Sequence, residues 1–131
     1  MTAAKDLGIW MDHSIAHLME FTTDPIETKT IASEFTHQAK EESIHKGESL
    51  MHKKEQHLEA DYYKQLGEVI KNYKEVILFG PTDAKVELYN LLKKDHLFKD
   101  INIKIQQTDK MTKNKQRSFV REHFSKLNAT H

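Results

Sequence analysis

The sequence predicts an α/β domain in which a mixed five-stranded sheet of order 3-2-1-4-5 carries helices on both faces, with strand 2 antiparallel to the others. Three observations predict it. Residues Val76-Ile77-Leu78-Phe79 form a continuous apolar run closed by Gly80-Pro81, the pattern of a strand buried on both faces and covered by helices on each side. Three strand-like runs separated by turns come before it. After it the period changes to helical, then to strand alternation, then to helical again. Right-handed crossovers place strand four beside strand one and strand five beyond it.

Each element has its own signal. Gly8 to His13 and Ile15 to Phe21 are short apolar-rich runs around His13-Ser14, and they read as a β-hairpin. In the second run Ile15, His17, Met19 and Phe21 share one face, and Ala16, Leu18 and Glu20 the other. Pro25 closes a turn, and Glu27 to Phe35 follows, β-branched and polar enough for an edge strand. Residues 36–48 hold no period and contain Gly47, so they read as a mobile connection. From about Ser49 a helical stripe begins: Met51, Leu58, Tyr62, Leu66, Val69, Ile70 and Tyr73. The central strand is 75–79. Thr82 or Asp83 caps the next helix, whose stripe is Ala84, Leu88, Leu91 and Leu92 and which frays near His96. Ile101 to Gln106 alternates as a half-exposed strand. Thr112 then caps a last helix carrying Phe119, Val120, His123, Phe124 and Leu127. The order βββαβαβα is that of the ribonuclease H-like architecture.

The totals bound the rest. At 131 residues the chain reads as one domain over 1–131, with its core at about 8–126. Twenty basic and twenty acidic residues cancel, so no global field points to a polyanion or a membrane. The charge is unevenly spread. Residues 110–131 carry six basic residues against Glu122 alone, whereas residues 1–35 carry two against six acids. There is no cysteine, which excludes a disulfide framework and a thiol nucleophile. No apolar run approaches the length of a membrane span, so the expectation is a soluble, cytoplasmic protein without a membrane partner.

Four motif blocks then resemble one family. They are Gly8-Ile9-Trp10-Met11-Asp12-His13 with Ala16, and His52-Lys53-Lys54-Glu55-Gln56-His57-Leu58 with Tyr62-Tyr63. The others are Phe79-Gly80-Pro81-Thr82-Asp83-Ala84-Lys85 with Glu87-Leu88, and Thr108-Asp109-Lys110-Met111-Thr112 with Val120 to Phe124. Together they resemble the small bacterial proteins related to the middle domain of archaeo-eukaryotic release factors and Pelota. The resemblance implies a translation-associated, ribosome-binding role. It also implies a Gly-Gly-Gln tripeptide before the long helix. The stretch Thr36 to Glu48 offers only Gln38 and Gly47, which are not adjacent, so peptide release by that tripeptide is not expected.

Four constellations could carry chemistry. Asp12, Asp83 and Asp109 fall at the carboxyl ends of strands one, four and five, where a ribonuclease H-like nuclease places carboxylates for two Mg²⁺ ions. The structural alternative makes Asp83 a helix cap, Asp109 a turn residue and Asp12 a partner of Lys85 or Lys110. The Gly80 to Lys85 turn could hold a phosphate at a helix amino end, but Pro81 lacks a donor and Asp83 would repel an anion. His37, His45, His52 and His57 cluster before and within the long helix, yet the spacing of His52 and His57 is not that of a zinc helix. Finally, Lys40, Lys46, Lys53, Lys54, Lys110, Lys113, Lys115, Arg117 and Arg121 offer point charges for a phosphate backbone.

The expected protein is a non-enzymatic, ribosome- or RNA-associated factor without a cofactor or a bound metal, acting in stalling, rescue, dormancy or a stress response. Its RNA-binding residues would be His37, Lys40, His45, Lys46, His52, Lys53, Lys54 and His57 in a loop entering an rRNA cleft, with Lys110, Lys113, Lys115, Arg117 and Arg121 on backbone phosphate; DNA is not an expected partner. Two alternatives stand beside it: a metal-dependent nuclease on Asp12, Asp83 and Asp109, and a homodimer pairing through the edge strand 27–35.

Overall fold

The structure, a computed structural model, describes residues 6–21, 28–33 and 60–129. Its five strands are β1 (Asp6–Met11), β2 (Ile15–Glu20), β3 (Thr28–Ala32), β4 (Glu75–Gly80) and β5 (Asn102–Gln107). They form one sheet in the order β3-β2-β1-β4-β5. β2 runs antiparallel to both neighbours, and β1, β4 and β5 are mutually parallel. The expected order and directions are those observed. Helices α1 (60–70), α2 (Ala84–Lys93) and α3 (Lys113–Ala129) accompany the sheet.

Strand parity divides the core in two. Leu7, Ile9 and Met11 of β1, Ala16 and Leu18 of β2, and Val76 and Leu78 of β4 face α1 and α2, where Tyr62, Leu66, Ile70, Ala84, Leu88 and Leu92 meet them. Trp10, Met19, Ile77 and Phe79 face the other way, onto Val120 and Phe124 of α3. β1 and β4 are therefore buried on both faces and carry apolar side chains at nearly every position. Each such side chain contributes about 1.5–3 kcal/mol through burial, which is why these two strands sit at the centre of the sheet. The face assignment read from the second strand's alternation holds, and it places Glu20 where Tyr73 donates its hydroxyl to Oε1 at 2.8 Å.

Two glycines set the spacing of the layers. A Cβ on Gly8 would lie 2.3 Å from a methyl of Val120, so α3 rests directly on the β1 backbone. Gly80 has φ +147, and its Cβ would lie 2.3 Å from the Met11 carbonyl oxygen. Only glycine adopts that backbone comfortably.

Several boundaries and contacts differ from expectation. Asp83 holds the N-cap position of α2 but makes no side-chain cap bond; the Thr82 hydroxyl accepts from the Ala84 N–H instead, at 3.3 Å. Leu91, expected in the buried stripe of α2, is 49% exposed, and Lys85 is buried in its stead. The reason is local: the stripe rotates toward the β5 side, where Gln107 receives the Lys85 amine. α2 ends at Lys93, and a 3₁₀ turn, His96–Phe98, capped by the Asp95 side chain, returns Phe98 to the core. Thr112 caps α3 as expected, its hydroxyl accepting from the Lys115 N–H at 3.2 Å. The connection 36–48 and the helix start near Ser49 lie outside the described residues. Among the described residues no helix is long and apolar enough to cross a membrane.

Candidate nucleic-acid interface

The parallel strands end at one edge, where the β4–α2 turn sits. Gly80 carries the chain over β1, and its carbonyl accepts from Thr108 N–H at 3.0 Å. Lys85, in the first turn of α2, is 1% exposed. Its ammonium donates to the Thr82 carbonyl and to Gln107 Oε1, the latter at 2.7 Å. Gln107 in turn donates Nε2 to the Pro81 carbonyl at 3.0 Å. Burial pushes the Lys85 amine below its ordinary pKa, with Asp83 opposing. The amine thus closes the turn from inside, and it is not held out toward a phosphate.

The three carboxylates meet different fates at this edge. Asp12 Oδ1 accepts from the N–H groups of Ser14 and Ile15, both at 2.8 Å, and so shapes the hairpin turn. That local bond takes the place of the expected pairing with Lys85 or Lys110. Asp83 and Asp109 are exposed. Among the described residues no group of three or more His, Cys, Asp or Glu side chains is placed to hold a metal ion.

A cluster that the sequence does not announce ties this edge together. Tyr62 donates its hydroxyl to the Asp12 carbonyl at 2.9 Å, and Tyr63 donates to Glu87 Oε1 at 2.8 Å. The other oxygen of Glu87 lies 3.2 Å from His13 Nε2. Burial, then the Asp12 charge, push the Tyr62 hydroxyl well above the ordinary tyrosine range. The hairpin tip, the described start of α1 and the first turn of α2 are thereby fastened to one another. These partners are far apart in sequence, and neither periodicity nor motif spacing reports them; the Tyr62-Tyr63 pair was the one visible hint.

The opposite face carries the basic helix. Lys110, Lys113, Lys115 and Arg121 are exposed. Arg117 is half-buried, with Nη1 donating to Thr28 Oγ1 at 3.4 Å and Nη2 to Asn114 Oδ1. Lys113, Arg117 and Arg121 follow at four-residue intervals and share one side of α3. The first turn of α3 contains no acid, so its cations stand at the positive end of the helix dipole. Beneath them Gln116 is buried; it donates Nε2 to the Met111 carbonyl at 3.0 Å and accepts from His17 Nδ1 at 2.8 Å. Because the amide nitrogen is committed to Met111, its oxygen faces the ring, and Nδ1 carries the proton. His17 also stacks on Trp10, with ring centroids 5.2 Å apart. This packing fixes the amino end of α3 against the sheet.

The structure places Lys113, Arg117 and Arg121 along one side of the amino-terminal half of α3, with Lys115 on the other side of its first turn and Lys110 just before the helix. His37, Lys40, His45, Lys46, His52, Lys53, Lys54 and His57 lie outside the described residues.

No protein-family model matches the chain, and no curated protein matches it. Solved structures do. The Pelota protein of Thermoplasma acidophilum is similar with a TM-score of 0.56 at 16% identity, over 85% of this chain and 30% of that one. Pelota of Archaeoglobus fulgidus gives 0.58 at 10% identity, over 98% and 36%. An archaeal translation termination factor, aRF1, gives 0.53 at 13% identity, over 96% and 39%. These identities speak for shared fold and no further. They agree with the resemblance carried by the sequence motifs: the chain has the fold of a segment of Pelota and of an archaeal termination factor, and it spans about a third of their length.

Proposed function

We propose that this chain is a non-enzymatic component of translation that associates with the ribosome by contacting RNA backbone through the amino end of α3. One observation carries the reading. Lys110, Lys113 and Lys115 gather where the helix dipole makes cations unfavourable, and no acid accompanies them in the first turn. A charge arrangement selected for stability would place Asp or Glu there. An arrangement selected to receive phosphate would concentrate donors and positive charge, as here. The shared fold with a translation termination factor supplies the context, and the missing Gly-Gly-Gln tripeptide argues for binding without peptide release. Stalling, rescue and dormancy are the processes such a factor would serve.

The test is a salt-dependent binding assay with ribosomal RNA fragments, alongside sedimentation of cell extracts. Replacing Lys110, Lys113 and Lys115 by Ala should weaken binding and flatten the log K versus log salt line, by roughly 0.7–0.9 per lost phosphate contact. Unchanged affinity and slope in the triple variant, or absence of the protein from ribosomal fractions in growth and in stress, would sink the reading.

A further inference from the structure

The sheet has an open side at β5. Among the described residues no strand pairs beyond it, and Asn102, Lys104, Ile105, Gln106 and Gln107 are all exposed. The β4–β5 register runs without a bulge, and the strand contains no proline and a single charge, Lys104. These are the devices that usually blunt an edge, and β5 carries just that one. At the other edge Arg117 reaches over to β3 through Thr28.

The direction of the backbone groups left outside the β4–β5 ladder follows from its pattern; of these the Gln107 carbonyl accepts from Gln106 Nε2 at 3.3 Å. Asn102 N–H donates to Lys74 and Thr108 N–H to Gly80. Even-numbered residues therefore point their N–H and C=O groups at β4, and Ile103, Ile105 and Gln107 point theirs outward. We propose that β5 is a homodimer edge, in which a second copy of this chain adds its own β5 antiparallel and joins the two sheets into one.

Self-complementarity selects this occupant and its register. An antiparallel pair related by a two-fold axis normal to the sheet must place a residue opposite itself. Two registers overlap most of the strand: one centred on Lys104, the other on Ile105. The first sets Lys104 against its own copy, a like-charge pair that destabilises, and leaves the outward groups of Gln107 beyond the partner strand. The second sets Ile105 against Ile105, Ile103 against Gln107 and Lys104 against Gln106. In it every outward N–H and C=O of Ile103, Ile105 and Gln107 faces a partner in a hydrogen-bonded pair. Ile105, 36% exposed alone, is covered on the α2 side by its copy. The zero net charge of the chain adds no long-range repulsion between copies.

Equilibrium sedimentation of the full chain tests the dimer. The apparent mass should double as concentration rises from micromolar to millimolar, and Ile105→Lys should abolish the doubling while leaving the circular dichroism spectrum intact, because the side chain is exposed. The absence of cysteine from the sequence permits a second, independent readout. Ile105→Cys should form an intermolecular disulfide on mild oxidation, since hydrogen-bonded partners stand about 5.5 Å apart between Cα atoms. Lys29→Cys, on β3, should remain largely uncrosslinked. A monomer at every concentration overturns the proposal, as does preferential crosslinking through position 29.

Discussion

Gly8 and Gly80 exclude a side chain for different reasons, and the difference is measurable. At Gly8 the obstacle is a methyl group of Val120; at Gly80 it is the Met11 carbonyl, together with a positive φ. Gly8→Ala should cost about 1–3 kcal/mol by overpacking. Combining it with Val120→Ala should cost less than the sum of the two single changes in a urea-denaturation cycle, because the added methyl occupies the space that the lost ones leave. Gly80→Ala has no such rescue, since backbone cannot be trimmed. It should cost more than Gly8→Ala and resist compensation by any side-chain change at Met11. Tyrosine ionisation reports burial in the same manner. Burial, with the hydrogen bond to Glu20, pushes the Tyr73 hydroxyl up to about 12 from an ordinary 10. The folded state holds this proton more tightly than the unfolded one, so its stabilising effect is complete below pH 10 and is lost as pH rises toward about 12. Ultraviolet titration should show a delayed tyrosinate step that Tyr73→Phe removes, and the alkaline loss of stability should shrink with it. His123 works in the opposite sense. Burial, then Lys104, hold its ring below its ordinary pKa, so its share of stability is present above about pH 6.5 and falls away on acidification.

At the scale of elements, α3 serves two demands that oppose each other. Its buried side, Gln116, Val120 and Phe124, packs on the sheet, and its first turn is charged against the dipole. Lys113→Glu should therefore stabilise the fold by about 0.3–1 kcal/mol while weakening RNA binding. A thermal melt and a binding titration on the same variant check both signs; a variant that loses stability would remove the argument from charge placement. α2 shows a related compromise. Leu91 is left outside while Lys85 is taken inside, because Thr82 and Gln107 supply acceptors that a buried amine requires. The apolar stripe alone pointed the other way.

The whole molecule is organised around β1 and β4, which carry helices on both faces, with strands on both sides. Their amides should exchange slowest with solvent. The outward amides of Ile103, Ile105 and Gln107 should exchange fast in dilute solution and slow down as concentration rises, if the β5 edge pairs as argued. At the carboxyl edge, the Tyr62 bond to the Asp12 carbonyl couples α1 to the hairpin. Tyr62→Phe should cost about 0.5–1.5 kcal/mol in chemical denaturation.

By itself the sequence determined the strand order, the strand directions and the two core faces. Those depend on period and on chain connectivity: alternation assigns Ile15, His17, Met19 and Phe21 to one side of a sheet, and right-handed crossovers leave one order for the parallel strands. The basic end of α3 was legible too, since charge along one helix is a local property. What the tertiary structure decided are contacts between residues distant in sequence. Asp12 bonds its own turn and no lysine, Lys85 turns inward to Gln107, and Glu87 gathers Tyr63 and His13. Each of these polar groups had several partners within reach of its side chain. Which one it took was set by the packing of helices on the sheet, and no residue spacing records that choice.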